Sequence, residues 1–176
     1  MDQSIYLLAA AIANPIVCEP AREALRPFKA KGAPKLHWHS EDDGRRRKIT
    51  AVVASFDVES LVIIGTPVDL RRQERARAQC MEHLLWQLDQ LQVEHVWVEN
   101  RTASLNRRDM QTVDRLRGRR LISNEIRLDF AYPSQEPMLW LPDIVAGAVS
   151  CARCGETDEW MTAIEHQVYE IDLDLR

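Results

Sequence analysis

The sequence of 176 residues contains no apolar run of the roughly 20 residues that a membrane-spanning helix needs. The apolar run at residues 5–13 lacks the basic leader and the small-residue cleavage site of a signal peptide. We therefore expect a cytoplasmic protein that does not enter a membrane. In that compartment the four cysteines stay reduced.

Several signature motifs of common enzyme families are also missing. The chain has no GxGxxG motif, no P-loop lysine motif and no GxSxG nucleophile motif, which leaves those families with little support. Cys151 and Cys154 have CxxC spacing, but no second Cys or His pair follows at zinc-finger distance. We interpret them as two helical cysteines without a chemical role.

The charge balance gives little support to a nucleic-acid binder that works by electrostatics alone. The formal net charge is −4, yet basic residues gather in three runs at residues 45–48, 71–77 and 115–120. Such runs are more often solvated helix faces than binding patches. If the runs converge in space they form a basic groove, which leaves nucleic acid open as a partner.

The pattern of apolar residues indicates alternating strands and helices, and therefore an α/β layer architecture. We find no internal repeat and no long linker, so we expect a single domain over residues 1–176. Predicted strands lie at residues 6–13, 35–38, 60–65, 94–99 and 126–132. Predicted helices lie at residues 20–28, 41–56, 71–92, 137–154 and 159–169. A further helix is predicted to begin at Asn106 as its N-cap, with Asp109 three residues later in the capping-box position.

The predicted helix at residues 137–154 is apolar on nearly every face and carries one acid, Asp143. A carboxylate buried in such a helix must pair, bind a metal or take up a proton. In an alternative interpretation Asp143 lies in the first helical turn, just after Pro142, where acids complement the helix dipole. The sequence leaves both interpretations open.

A second acid, Glu99, ends the predicted strand at residues 94–99. Ligands of open α/β sheets gather at the carboxyl ends of the strands, so an acid there is well placed for chemistry. Glu99 together with Asp143 would suit Mg²⁺ or Mn²⁺ and the cleavage of a phosphodiester. The alternative for Glu99 is a surface ion pair with Arg101 or Arg108.

Two further groups of residues bear on function. His37 and His39 occupy alternate positions of a predicted strand, so both imidazoles could face one metal, with Glu41 as a third ligand. Arg71 and Arg75 begin the helix at residues 71–92, where the positive end of the helix dipole disfavours them. Their position indicates an anionic neighbour or a solvent-facing terminus.

Four short motifs occur in an order that resembles a bacterial family known as domain of unknown function 3800. They are Lys35-Leu36-His37-Trp38, Glu99-Asn100-Arg101, Asn106-Arg107-Arg108-Asp109 and the apolar block at residues 139–149. The resemblance implies a fold similar to RNase H, with three layers and a mixed sheet flanked by helices. It also implies two divalent ions held by acids, with Glu99 as the strand-end acid and Asp143 as the helix acid.

Members of that family open with a strand that leads into an Asp-Glu-Ser turn. This sequence begins Met1-Asp2-Gln3-Ser4, so by this resemblance we expect the first strand to be missing, with Asp2 as a candidate remnant of its acid. The absent acid predicts either a chain without catalysis or a natural start further upstream. A missing first strand would also leave one sheet edge open, which a partner strand or a second copy of the chain could fill.

Three functional hypotheses follow. The first is a metal-dependent nuclease or phosphodiesterase that uses Mg²⁺ or Mn²⁺ at Glu99 and Asp143, with Asp109 or Asp2 as a third acid. Phosphate contacts in that hypothesis come from Arg101, Arg71 and Arg75. The second is a non-catalytic binding or scaffolding module, a homodimer or a complex with a partner protein. The third is a single-metal hydrolase built on His37, His39 and Glu41.

Overall fold

The computed structural model describes residues 4–176, and it is a mixed α/β protein with a small mixed sheet flanked by helices. The predicted α/β class is therefore confirmed at this level. The RNase H-like architecture and the single domain stay predictions. Asp2 lies outside the described residues. No helix within residues 4–176 is both long and apolar enough to cross a membrane.

The described chain contains five strands and six α-helices, joined by short 3-10 turns. The strands are β1 (Tyr6–Ile12), β2 (Glu59–Thr66), β3 (His95–Glu99), β4 (Arg127–Ala131) and β5 (Val168–Asp174). The helices are α1 (Pro15–Leu25), α2 (Asp43–Ala54), α3 (Gln73–Gln90), α4 (Ala103–Gly118), α5 (Trp140–Arg153) and α6 (Glu159–Ile164).

The strands form two sheets. One has the order β1-β2-β5, and the other is the parallel pair β3-β4, in which Trp97 lies opposite Asp129. Side chains of β3 alternate between half-buried Val96 and Val98 and exposed His95 and Trp97, as the sequence predicted. This alternation is typical of a strand with one face toward a core and the other toward solvent.

The chain divides into two compact units, which we describe separately. Unit 1 comprises Ile63–Tyr132 and Ile171–Arg176 together with the described residues up to Leu8. Unit 2 comprises Ala9–Val62 and Pro133–Glu170. In unit 1, α3 packs against α4; in unit 2, α6 packs against both α2 and α5.

Most of the predicted elements are confirmed to within about three residues at each end. These are the strands at 6–13, 60–65, 94–99 and 126–132 and the helices at 41–56, 71–92 and 137–154. The last helix begins with a 3-10 turn at Pro137–Leu139, before α5 itself. All four cysteines are free thiols, and Cys151 and Cys154 lie at the end of α5.

The prediction of a helix at residues 20–28 was wrong about where that helix starts, since α1 begins at Pro15. The side chain of Asn14 accepts a hydrogen bond from the backbone N–H of Ile16 (3.1 Å). Asn14 is therefore the N-cap, and Pro15 occupies the first helical position, where its missing N–H costs nothing. The Asn-Pro pair ends β1 and starts the helix at the same time.

The predicted strand at residues 35–38 was wrong. His37 is extended, but Trp38–Ser40 forms a 3-10 turn. The predicted helix at residues 159–169 was wrong beyond Ile164, where a 3-10 turn leads into β5. The first turns of that segment carry a helical apolar pattern. Val168–Asp174 pairs with another strand in the sheet, so strand pairing, and not the local pattern, determines the conformation of these residues.

Candidate functional site

Asp143 lies in the first turn of α5, in unit 2. Glu136 caps the 3-10 turn before it, because its carboxylate accepts the backbone N–H of Met138 (2.9 Å). The side chain of Asp143 is 32% exposed, so the expectation of a fully buried carboxylate was wrong. The position in the first turn was the alternative interpretation, and the structure agrees with it.

The carboxylate of Asp143 ties α5 to the loop that precedes α2. Its Oδ2 accepts a hydrogen bond from the backbone N–H of Trp38 (3.0 Å), and the Nδ1 atom of His37 lies 3.5 Å from the same oxygen. Within residues 4–176, no hydrogen bond or ion pair reaches Oδ1. One oxygen is thus fixed and the other is available to a ligand.

Trp38 holds this contact in place because its indole packs against Trp160, Arg46 and Gly147. The residue is fully buried, and its ring meets Trp160 edge-on at 6.1 Å. Arg46 lies over the ring at 5.1 Å and donates hydrogen bonds to the Trp38 carbonyl. Gly147 of α5 lies so close that a Cβ there would meet the indole at 2.1 Å. The backbone N–H that binds Asp143 is therefore held rigidly.

The metal site proposed for His37, His39 and Glu41 does not form as predicted. Its premise was strand alternation, but His39 lies in the 3-10 turn and the two imidazole centroids are 6.4 Å apart. The Glu41 carboxylate is taken by Arg45. Over residues 4–176 no group of three or more His, Cys, Asp or Glu side chains could hold a metal.

Unit 1 contains a second helical acid, Asp109 of α4, and its surroundings differ from those of Asp143. Asp109 is 3% exposed, and both its oxygens accept hydrogen bonds from guanidinium groups. Arg77 binds both oxygens (3.0 and 2.9 Å), and Arg101 binds Oδ1 (2.8 Å). Burial lowers the pKa of Arg77, but Asp109 more than offsets this and raises that pKa above its ordinary value. Asp109 is thus the buried anionic partner of two half-buried cations.

The same network accounts for Arg101 and Asn106. Arg101 also donates to both oxygens of Glu74 (2.7 and 3.3 Å), so its guanidinium contacts two carboxylates. The predicted capping role of Asn106 was wrong, since Thr102 caps α4. The Asn106 side chain instead accepts the backbone N–H of Arg101 (2.9 Å) and donates to Asn100 (2.8 Å). These bonds fix the loop that follows β3.

Glu99 is an exposed residue at the carboxyl end of β3, in unit 1. Asp143 belongs to unit 2, so the pairing of these two carboxylates around a cation stays a prediction. Arg71 lies in the 3-10 turn Leu70–Arg72 and Arg75 in the first turn of α3, both exposed. Their phosphate contacts likewise stay predictions.

The four motifs meet in pairs, one pair in each unit. In unit 2, the motif at Trp38 binds the apolar block through Asp143 and Gly147. In unit 1, the motif at Arg101 binds the following motif through Asn106 and Asp109. Sequence reasoning missed these partnerships. The arginines at the start of α3 left an anionic neighbour and a solvent-facing terminus open: Arg77 has such a neighbour in Asp109, whereas Arg71 and Arg75 are exposed.

We compared the chain with protein-family models, curated proteins and solved structures, and none of them matches it. The protein is of the mixed α/β class. Because a fold class does not determine a function, the residues around Asp143 carry the functional conclusion.

Proposed function

We propose that the protein is a divalent-metal-dependent phosphodiesterase that acts on nucleic acid, with its reacting centre at Asp143 and His37. One observation carries the proposal. The carboxylate of Asp143 is held through Oδ2 by a rigid backbone N–H, and its Oδ1 has no partner among the described residues. A carboxylate with one fixed and one available oxygen is preorganised to bind a cation.

The chemistry of this carboxylate fits the proposed cation. Mg²⁺ and Mn²⁺ are commonly bound by one or two carboxylates, with water and substrate phosphate oxygens in the remaining positions. Oδ1 of Asp143 would supply one such ligand. When bound, the cation would activate a water molecule and stabilise the leaving oxygen of a phosphodiester. Asp109 does not fit this role, because guanidinium groups occupy both its oxygens.

His37 is the proton-transfer group in this proposal. Its Nδ1 atom lies 3.5 Å from Oδ2 of Asp143, which places the imidazole beside the carboxylate. The side chain is 51% exposed, so a substrate can reach it. An imidazole oriented by a carboxylate is a common general acid or base, and its Nε2 would exchange a proton with the water or the leaving oxygen.

The test is cleavage of end-labelled single-stranded DNA, duplex DNA, RNA and an RNA–DNA hybrid with Mg²⁺ or Mn²⁺. In Asp143→Asn the amide oxygen still accepts the Trp38 N–H, so the fold is kept while the anionic ligand is lost. We expect this change to reduce the rate by at least about 100-fold, and His37→Gln to have a loss of the same order.

His39→Gln is the matched control, since His39 is an exposed imidazole in the same loop and no carboxylate within residues 4–176 contacts it. It should cleave as the unmodified protein does. Absence of metal-dependent cleavage on all four substrates, or an Asp143→Asn protein as active as the unmodified one, would contradict the proposal. Circular dichroism of each variant shows that lost activity does not come from unfolding.

A second candidate is a binding module that pairs a partner strand with β3. Within the described chain β3 pairs with β4 alone, and isolated parallel pairs are uncommon because parallel strands normally belong to larger sheets. Trp97 is 53% exposed on β3, and Tyr132 just beyond β4 is 56% exposed. Analytical ultracentrifugation tests this candidate: a dimer that Trp97→Ser dissociates would support it, and a monomer at all concentrations would count against self-association.

A further inference from the structure

Unit 1 contains an open cleft of about 540 Å³ where α3 and α4 end and the chain runs toward β4. Its volume is that of a small-molecule site. Four of its lining residues carry the argument: Trp86, Asp89, Arg117 and Arg120. We propose that this cleft binds a nucleoside monophosphate, either as a free nucleotide or as one residue of a single-stranded nucleic acid. The inference is independent of the cleavage proposed at Asp143.

Trp86 supplies the stacking surface. Its indole is 41% exposed, which is unusual for the largest side chain on a helix whose other face forms a core. The His83 ring lies 6.2 Å from it, and this neighbour supports the indole. Bases stack on exposed aromatic rings whatever their sequence, so such a ring is a common platform for a nucleotide.

Arg117 supplies a positioned cation. Its Nη2 donates a hydrogen bond to the carbonyl of Ile126 (2.6 Å), which fixes the guanidinium against the chain that enters β4. Its Nη1 has only a distant ion pair with Asp114 (3.8 Å), whose side chain is 70% exposed. Nη1 is thus weakly engaged, and a guanidinium held in this way can donate to a phosphate oxygen.

Arg120 has a backbone conformation that ordinarily belongs to glycine. Its φ is +57°, and it occupies the left-handed position just past the end of α4. The cap is complete there, since the N–H of Arg120 binds the Arg117 carbonyl (2.9 Å) and the N–H of Leu121 binds the Leu116 carbonyl (2.9 Å). Glycine is favoured at this site, and strained residues tend to occur where a side chain has a function.

Asp89 makes a plain anion a poorer ligand than a nucleotide. Its Oδ1 accepts hydrogen bonds from the backbone N–H (3.1 Å) and hydroxyl (2.7 Å) of Ser123, which leaves Oδ2 as an acceptor at the cleft. The two guanidiniums suit a phosphate, whereas Oδ2 suits an N–H donor. A base with an exocyclic amine offers that donor, and carboxylates accept from the cytosine amine in this way.

The experiment measures binding of CMP, UMP, cytidine and an octamer of cytidylate by isothermal titration calorimetry, without added metal. CMP and UMP differ in the exocyclic amine, which would donate a hydrogen bond to Asp89, and in N3, which carries a hydrogen only in uracil. We expect CMP to bind at least about fivefold more tightly than UMP, and about tenfold more tightly than cytidine, which lacks the phosphate. If the octamer binds more tightly per site than CMP, the source is a strand; equal affinity identifies the free nucleotide.

Two glycine variants separate binding from folding. Arg120→Gly removes the cation and relieves the strained backbone, so CMP affinity should fall about tenfold while the unfolding midpoint rises by about 2–4 °C. Gln92→Gly is the matched control, because Gln92 lies just past the end of α3 with φ +58° but does not line the cleft. It should raise the midpoint similarly and leave CMP binding unchanged. Equal CMP affinity in both variants, or no CMP or octamer binding at millimolar concentration, would overturn the proposal.

Discussion

Asp143 in unit 2 and Asp109 in unit 1 are both acids of α-helices, and both were predicted as metal ligands, yet their surroundings differ. Asp143 is half-buried and has one backbone donor and one imidazole beside Oδ2. Asp109 is almost fully buried, and two guanidiniums bind both its oxygens. The partners of a carboxylate, rather than its depth or its helix, decide whether it can take a further ligand.

Because their partners differ, replacing Asp109 and replacing Asp143 should have different effects on stability. The charges around Asp109 neutralise one another. Removing Asp109 leaves Arg77 without its carboxylate and leaves Arg101 with Glu74 alone. Asp143 belongs to no buried ion pair, and solvent reaches its side chain. We therefore expect Asp109 to matter chiefly for stability and Asp143 chiefly for chemistry.

The largest predicted effect is that of Asp109→Ala. It leaves Arg77 and Arg101, which are 13% and 20% exposed, without their shared anion. We expect the free energy of unfolding, measured by urea denaturation, to fall by about 3–5 kcal/mol. Asp114→Ala on the same helix is the control, since its exposed pair with Arg117 is worth about 0–1 kcal/mol. If Asp109→Ala and Asp114→Ala lost similar free energies of unfolding, Asp109 would be no more important for stability than an exposed acid.

The second prediction concerns the packing that holds Asp143. In Gly147→Ala the new methyl would meet the Trp38 indole at 2.1 Å, so the protein should lose about 1–3 kcal/mol of stability. Gly118→Ala is the matched helical control, because nothing lies within 4 Å of a Cβ there. Thermal unfolding should show Gly118→Ala to be stabilising by up to about 1 kcal/mol. A tolerated Gly147→Ala would show that Trp38 is not locked.

The smallest predicted effect on stability is that of Glu136, which caps the 3-10 turn before α5. Burial raises the pKa of Glu136, but hydrogen bonds from Arg22 and from the Met138 N–H outweigh it and lower that pKa below its ordinary value of 4.5. The stabilisation is therefore fully present above pH 4.5 and is lost as the pH falls through the lowered folded value.

Glu136→Gln should cost about 1 kcal/mol at neutral pH and flatten the acid limb of the stability profile. Urea unfolding between neutral and acid pH measures both changes. Glu19→Gln is the control, because Glu19 pairs with the same Arg22 but is 57% exposed, and its effect should be smaller. An unaltered acid limb in Glu136→Gln would show that Arg22 does not hold the ionised carboxylate.

The sequence was most informative where periodicity is strong and local. The strand at residues 94–99 and the helix at residues 71–92 were predicted from the pattern of apolar residues, which repeats over each whole element. The prediction of a strand at His37 and His39 was wrong, because two residues at alternate positions are compatible with a strand and with a turn. The sequence failed at β5, where pairing in the sheet, invisible in the chain, decided the conformation.

The candidate site was predictable only in part. Asp143 stood out as one acid in an apolar helix, but its partner Trp38 lies 105 positions away in the chain. Asp109 was predicted as a metal ligand. Its partner in the structure is Arg77, which lies 32 positions away and could not be inferred from spacing. Side-chain partners that distant arise from tertiary packing, which a single sequence does not encode in a readable pattern.

The measurement that tests the central claim most directly is Mn²⁺ binding by electron paramagnetic resonance. Unmodified protein, Asp143→Asn and His39→Gln are titrated side by side, so that the result depends on the available oxygen and not on catalysis. We predict that the unmodified protein and His39→Gln bind Mn²⁺ with the same affinity and that Asp143→Asn binds at least about tenfold more weakly. Equal Mn²⁺ affinity in Asp143→Asn and the unmodified protein would contradict the claim that Oδ1 of Asp143 is a cation ligand.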